Sequence, residues 1–415
     1  MEPTRRRFLS GASAVGAAAL AGCARLGSLL DPGGEIDHDG SPATHADAQF
    51  RGGLRRQGVA PSATVPSDVV VDWRVDELNT GEHTAAKASP VEAPGGDVVV
   101  PGDTGEVHRV SPTGEVRWSA ATDSTGRGIH GTPAIANGTV YVGAYDGALY
   151  AFDLETGERH WKTGLGGAIG SSPAYYDGLV YIAVEYPTPS GALFAVDAVD
   201  GSVAFDDRRP TNHPHSTLAI DRAAERLVFG DNDGVLHAWR FPDLSYEWSF
   251  ETGDAIKGPV ATDGERVYVG SWDEHVYAVA LADGTERWAF EADGKVMSGP
   301  SVESDTVYVG SHDGNLYALD RETGSERWAA PSGGSVTGCP TVTAEHVLFG
   351  SYDRHLHAVR KDDGAPVWTI DCDGVVSATP LVTDDAVYVA ERATDDYLES
   401  GDGETGSLYC VRAAP

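Results

Sequence analysis

The stretch Thr132-Pro133-Ala134-Ile135-Ala136-Asn137-Gly138-Thr139-Val140-Tyr141-Val142-Gly143, continued by Ala144-Tyr145-Asp146-Gly147-Ala148-Leu149-Tyr150-Ala151-Phe152-Asp153 and Leu154-Glu155-Thr156-Gly157-Glu158-Arg159-His160-Trp161, decides the fold. Thr132-Pro133 opens a strand that ends at Ala136, and Asn137-Gly138 is a turn. Thr139–Gly143 is β-branched and aromatic, the composition of a second strand. Asp146-Gly147 supplies the positive φ of a tight hairpin turn before the third strand, Leu149–Asp153. Glu155-Thr156-Gly157 then turns into a fourth strand around Trp161. Four strands joined by short turns make one antiparallel sheet.

That unit recurs. The second strand ends in Gly or Ala at Gly102, Gly143, Ala183, Gly230, Gly270, Gly310, Gly350 and Ala390, with gaps of 41, 40, 47, 40, 40, 40 and 40 residues. A fixed period in this range with four strands per repeat predicts an all-β propeller, and the mature chain shows no useful helical period. Blade-ending aromatics stand at Trp118, Trp161, Phe205, Trp248, Trp288, Trp328 and Trp368. The missing aromatic is Trp73, in the strand Val69-Val70-Val71-Asp72-Trp73 ahead of the first full blade. The expected ring therefore has eight blades, the last completed by this N-terminal strand, which leaves no free sheet edge.

Ala151-Phe152-Asp153-Leu154-Glu155-Thr156-Gly157-Glu158-Arg159-His160-Trp161 resembles the tryptophan-docking motif of pyrroloquinoline quinone (PQQ)-like propellers, A-x-D-x-x-T-G-x-x-x-W. Ala318 to Trp328 repeats it through Asp320, Thr323, Gly324 and Trp328, and weaker copies end at Phe205, Trp288 and Trp368. The resemblance covers residues 67–415 and implies a structural docking role for Trp73, Trp118, Trp161, Trp248, Trp288, Trp328 and Trp368. The family includes quinoprotein dehydrogenases, whose quinone lies beside a Cys-Cys pair with Ca²⁺ and a catalytic Asp. It also includes the eight-bladed propeller lipoproteins of bacterial outer-membrane assembly. No Cys-Cys pair occurs here, so the resemblance implies neither PQQ nor a Ca²⁺ site.

Composition narrows the function classes. The chain carries 63 acidic and 30 basic residues, a formal charge of −33, and only 5 of the basic residues are Lys. Nucleic-acid binding needs Lys and Arg to neutralise phosphates, and a basic membrane-docking patch needs the same, so both are excluded. Abundant acid with scarce Lys points to a salt-adapted, haloarchaeal protein whose self-repulsion is screened by salt.

The N-terminus reads as an address. Thr4-Arg5-Arg6-Arg7-Phe8-Leu9-Ser10 resembles a twin-arginine export signal, with Arg5 and Arg6 as the pair. The apolar run Ala12 to Ala21 is too short to span a bilayer and ends in Leu20-Ala21-Gly22-Cys23, similar to a lipobox. Residues 1–22 are expected to be removed and Cys23 to carry lipid on the extracytoplasmic face of the cell membrane. Residues 23–66 are Gly-, Pro-, Ser- and Asp-rich and read as a tether, with the propeller over 67–415. Within the tether, Gln49-Phe50-Arg51-Gly52 and Arg55-Arg56-Gln57-Gly58 break the acidic trend and read as a segment lying along the folded domain. Cys339, Cys372 and Cys410 form no metal or redox motif, and sequence leaves their pairing open.

In alternating blades the starts of the inner strands share one face with the turns between second and third strands. Lys87, His130, His213, His215 and Lys257 are thereby expected around one funnel, as candidates for holding a small anion or a transition metal. The alternative is a solvated channel. Asp146, Asp233, Asp273, Asp313 and Asp353 fall on the same rim as turn formers, and the funnel set contains no carboxylate base. Longer connections at Glu185–Ser190 and Glu391–Glu404 are further places for binding. No catalytic residue, metal or cofactor is assigned. The reading is a non-catalytic binding or scaffold module on the cell surface, held to the membrane by lipid and partnered by other exported proteins. The alternative is a PQQ-dependent alcohol or sugar dehydrogenase.

Overall fold

In the computed structural model, residues 43–79, 88–125, 127–392 and 406–415 are described. Thr44–Pro415 forms one folded unit. Among the described residues no helix is long and apolar enough to cross a membrane.

Eight antiparallel sheets of four strands form the ring, seven of them built from strands consecutive in the chain. In blade two the strands are Ala134–Ala136, Thr139–Gly143, Ala148–Asp153 and Arg159–Gly164. The middle strands are buried on both faces and are accordingly near-continuous apolar runs, whereas Arg159–Gly164 alternates toward solvent. Gly143 ends its strand as Gly because a Cβ there would lie 2.3 Å from Ile169, the β-branched residue that starts the next blade's inner strand. Gly230 faces Ile256 and Gly350 faces Val376 in the same way, which is why the second strands share this ending.

Blade eight closes the ring with the N-terminal strand. Val69–Asn79 pairs antiparallel with Gly406–Ala413, in the register Val69↔Ala413, Trp73↔Cys410 and Val75↔Leu408. Neighbouring blades are then joined by their tryptophans. The indole N–H donates to a backbone carbonyl of the following blade: Trp73 to Pro112, Trp118 to Leu154, Trp161 to Ala198 and Trp248 to Leu281. Trp288 donates to Arg321 and Trp328 to Lys361, and Trp368 donates to Pro66, just ahead of the closing strand. Each motif glycine serves its neighbour. Gly324 has φ +72°, and a Cβ on it would stand 2.6 Å from Trp288. Blade three carries Phe205 instead of Trp, and blade four offers Leu244 at φ +56° instead of Gly. That interface uses a reversed bond, Trp239 of blade four donating to the Asp207 carboxylate of blade three at 3.0 Å.

The distal part of the expected tether is corrected by the structure: residues 44–66 belong to the folded unit. They thread the channel past the ends of the inner strands. Ala48 exchanges hydrogen bonds with Ile135, and the carbonyls of Thr44, Leu54, Arg55, Gln57 and Gly58 accept from Asp177, Ile220, Thr262, Val302 and Val342. Val59–Ala60 adds a fifth, parallel strand to blade seven against Val342 and Thr343. An inner strand needs partners for its channel-facing amide groups, and this segment supplies them. Arg56 is fully buried and donates to the carbonyls of Leu218, Phe50 and Pro173. Burial, with Arg51 alongside, pulls its pKa down to about 9, which still leaves it charged at neutral pH. Arg51 donates to Pro300 O and Ser301 Oγ, and Arg55 grips the buried Asp221. The two basic clusters that interrupt the acidic trend are the pins of an internal plug. Cys339, Cys372 and Cys410 are buried free thiols.

Candidate functional site

A funnel with a cavity of about 320 Å³ opens at the starts of the inner strands. Phe50 of the plug lies in its wall. The rest comes from inner-strand starts, namely His130, Gly170, His215, Met297, Thr337 and Ser377, together with Arg127, Tyr145, Lys257 and Trp272. Lys257 takes the same position in blade five, directly after Ile256, which is wholly buried between blades like Ile169 and Val376.

Three of the five predicted funnel residues, His130, His215 and Lys257, are thus brought together. Lys87 lies outside the described residues. His213 stands behind the wall, its Nε2 2.9 Å from Tyr186 O and its Nδ1 3.8 Å from a Glu185 oxygen. The rim aspartates lie off the cavity wall. They cap their own turns: Asp146, Asp273, Asp313 and Asp353 each accept from the backbone N–H two residues on. The corresponding acceptor in blade four is Asp231, which accepts from Asp233.

A carboxylate is nevertheless present beside the wall, which corrects the expectation of a funnel without a carboxylate base. Glu185 ends the seven-residue strand Leu179–Glu185 and is buried, with Oε1 3.2 Å from His215 Nδ1. Burial raises its pKa to about 7, against the pull of Arg127 and Lys257. At that value it exchanges a proton near neutrality. Tyr145 connects the group onward, its hydroxyl 3.5 Å from His215 Nδ1 and its ring centroid 4.0 Å from that of His130. On the other side, the ammonium groups of Lys257 and Lys295 lie 3.7 and 4.0 Å from the Trp272 ring centroid. Burial, with Lys295 nearby, holds the Lys257 pKa below its usual value. Arg392, buried at the start of the blade-eight connection, donates to Ser377 Oγ and the Tyr352 hydroxyl. Residues 393–405 of that acidic connection lie outside the described residues.

A chain of net charge −33 thus gathers Arg127, His130, His215, Lys257, Lys295 and Arg392 at or just behind one cavity. Among the described residues lining it there is no Asp or Glu. Such a mouth favours anions, and the partly desolvated setting strengthens each interaction. Glu185 was detectable in sequence as a lone carboxylate ending the apolar run Leu179–Val184. Lys295 and Arg392 hold repeat positions, two residues before Met297 and two after Ala390, and the repeat was the signal that could have found them.

The family described as outer membrane protein assembly factor BamB matches this chain at residues 70–232, 215–335 and 312–409, nearly the whole ring. The chain belongs to the BamB-type propeller family. BamB of Escherichia coli strain K12 is 30% identical over 181 residues, 41% of this chain and 44% of that protein. The chain spans about half the length of the curated relatives it matches. Among solved structures, the quinohemoprotein alcohol dehydrogenase of Comamonas testosteroni superposes with a TM-score of 0.71 at 14% identity, covering 88% of this chain and 80% of that one. BamB of Moraxella catarrhalis gives 0.64 at 16% identity, covering 83% and 99%. At these identities the likeness to solved structures is one of fold alone, a ring found in an assembly factor and in an alcohol dehydrogenase alike.

Proposed function

We propose that this chain is an exported, lipid-anchored propeller that binds other components at the cell surface and catalyses no reaction of its own. The observation that carries this reading is the BamB-type match across residues 70–409. The cationic funnel wall, with Phe50 of the chain's own plug in it, favours a receptor for an acidic group. The twin-arginine pair Arg5 and Arg6 and the Leu20-Ala21-Gly22-Cys23 run supply the route and the anchor. In a fractionation experiment, Cys23→Ser moves the protein from the membrane fraction to the soluble exported fraction, and Arg5→Lys with Arg6→Lys keeps it inside the cell. A serine variant retained on membranes like the wild type refutes the anchor.

The dehydrogenase reading has one observation in its favour, the proton-exchanging Glu185 beside a cationic cavity. The donor set argues against it. Ca²⁺ takes six to eight oxygen ligands, mostly carboxylates and carbonyls, whereas the described wall offers hydroxyls, imidazoles, a thioether and cations. Nor is there a Cys-Cys pair; Cys339 alone reaches the cavity. The residues present do not fit a quinone held with Ca²⁺. Purified protein supplied with PQQ and Ca²⁺ in high salt is therefore expected to show no dye-linked oxidation of ethanol or glucose. Turnover that disappears in a Glu185→Gln variant would replace the binding reading with the enzymatic one.

A further inference from the structure

The turns between second and third strands share a recurring pair. In blades five and six, Tyr277 and Tyr317 donate their hydroxyls to Asp273 and Asp313 at 2.7 Å. Blade seven departs from it. There the sequence is Asp353-Arg354-His355-Leu356-His357, with His where blades five and six have Tyr, while the His two residues earlier is shared with His275 of blade five. Strand alternation puts His355 and His357 on one face, toward Asp353. None of the three lines the funnel.

Their geometry is that of a ligand set. His357 Nε2 lies 2.9 and 3.2 Å from the two Asp353 oxygens, and His355 Nδ1 lies 3.3 Å from Asp353 Oδ1. All three ligand atoms fall within 4.8 Å of one another. A tetrahedral ion with bonds of about 2.0–2.1 Å separates its ligand atoms by roughly 3.3 Å, which is the spacing these pairs already have. His355 Nε2 is 3.0 Å from Asp371 Oδ1, so the carboxylate holds the ring proton on that nitrogen. Nδ1 is then a lone pair, shielded from solvent and without a hydrogen bond, facing an oxygen lone pair of Asp353. A cation placed between these two acceptor atoms would satisfy both. The three side chains are half-buried, which leaves an ion a path in from solvent.

We propose that Asp353, His355 and His357 bind one divalent ion of the zinc class, with a fourth position open to water or an external ligand. Imidazole nitrogens with a single carboxylate select a borderline d-block ion over Ca²⁺ or Mg²⁺. On binding, the His357 ring proton moves from Nε2 to Nδ1, which frees the Nε2 lone pair for the ion, and Asp371 orients His355 from outside.

The neighbouring blades supply the variants. H357Y restores the Tyr of blades five and six and keeps a donor to Asp353, and H355N copies Asn315 of blade six. The full mature chain is titrated with Zn²⁺ by calorimetry in high-salt buffer containing excess Mg²⁺, which fills weak carboxylate sites. Co²⁺ is then added to read coordination from its d–d bands. One Zn²⁺ site is expected in the wild type and in His215→Ala. Affinity falls at least tenfold in H357Y and H355N, the tetrahedral Co²⁺ spectrum is lost, and metal-free melting temperatures stay near that of the wild type. Absence of Zn²⁺ binding by the wild type overturns the proposal. Unchanged binding in both variants, or loss confined to His215→Ala, overturns it equally.

Discussion

A chain lacking residues 24–79 loses cooperative unfolding, whereas one lacking residues 24–42 melts with the intact protein in high salt. The longer deletion removes the closing strand Val69–Asn79 and leaves Gly406–Ala413 as an open edge with its amide groups unpaired. It also removes Trp73, whose ring packs on Gly114 and whose indole donates to Pro112 O, the joint between blades eight and one. Truncating one such side chain alone costs about 3–5 kcal/mol. A domain's whole stability is about 5–15 kcal/mol, so losing strand, tryptophan and plug together exceeds what the ring can absorb. A third chain, lacking residues 24–66, keeps the strand but loses the plug and the acceptor of Trp368, and is expected to melt between the two. Equal melting temperatures for the shortest and longest deletions would contradict closure by this strand.

Arg56→Ala is expected to be the most damaging single substitution outside the blades themselves. The side chain is wholly buried and satisfies three backbone carbonyls from three places, Phe50 in the plug and Pro173 and Leu218 at the inner strands of blades three and four. A buried acceptor left without its donor costs about 1–3 kcal/mol, so the expected loss is about 3–5 kcal/mol after local relaxation. Arg56→Lys recovers little, because one ammonium group cannot present the guanidinium's fork to three diverging carbonyls. Denaturant midpoints measure the loss, and limited proteolysis locates it: cleavage should move into residues 44–66 in the variant. A midpoint within 0.5 kcal/mol of wild type, with that segment still protected, would show that the plug is held by its backbone pairing and not by this pin.

The ring was legible because each blade repeats a local grammar. Asp146-Gly147 makes a hairpin turn wherever it stands, and a 40-residue period of such units admits few architectures. The site was legible only where blade register sets position. His130, His215, Thr337 and Ser377 occupy the wall because the start of every inner strand faces the channel mouth. Lys295 and Arg392 stand on that register too, but which charges meet across the mouth depends on how the ring closes. Glu185 lay in plain view as a carboxylate ending an apolar strand, yet its proton exchange near neutrality arises from burial that no linear pattern encodes.

What sequence by itself determined is therefore the local chemistry of each repeat: strand, turn, docking tryptophan and the number of blades. Tertiary structure alone decided where the irregular segment went. Residues 44–66 have the Gly, Pro and polar composition of a flexible tether, and their backbone preferences give no reason to fold. They fold because the channel offers rows of unpaired inner-strand amide groups and buried carbonyls, which Arg51, Arg55 and Arg56 and their neighbouring backbone satisfy. That demand comes from the closed ring of blades, so the basic breaks at 49–52 and 55–58 announced contact with the domain but not the place it is made.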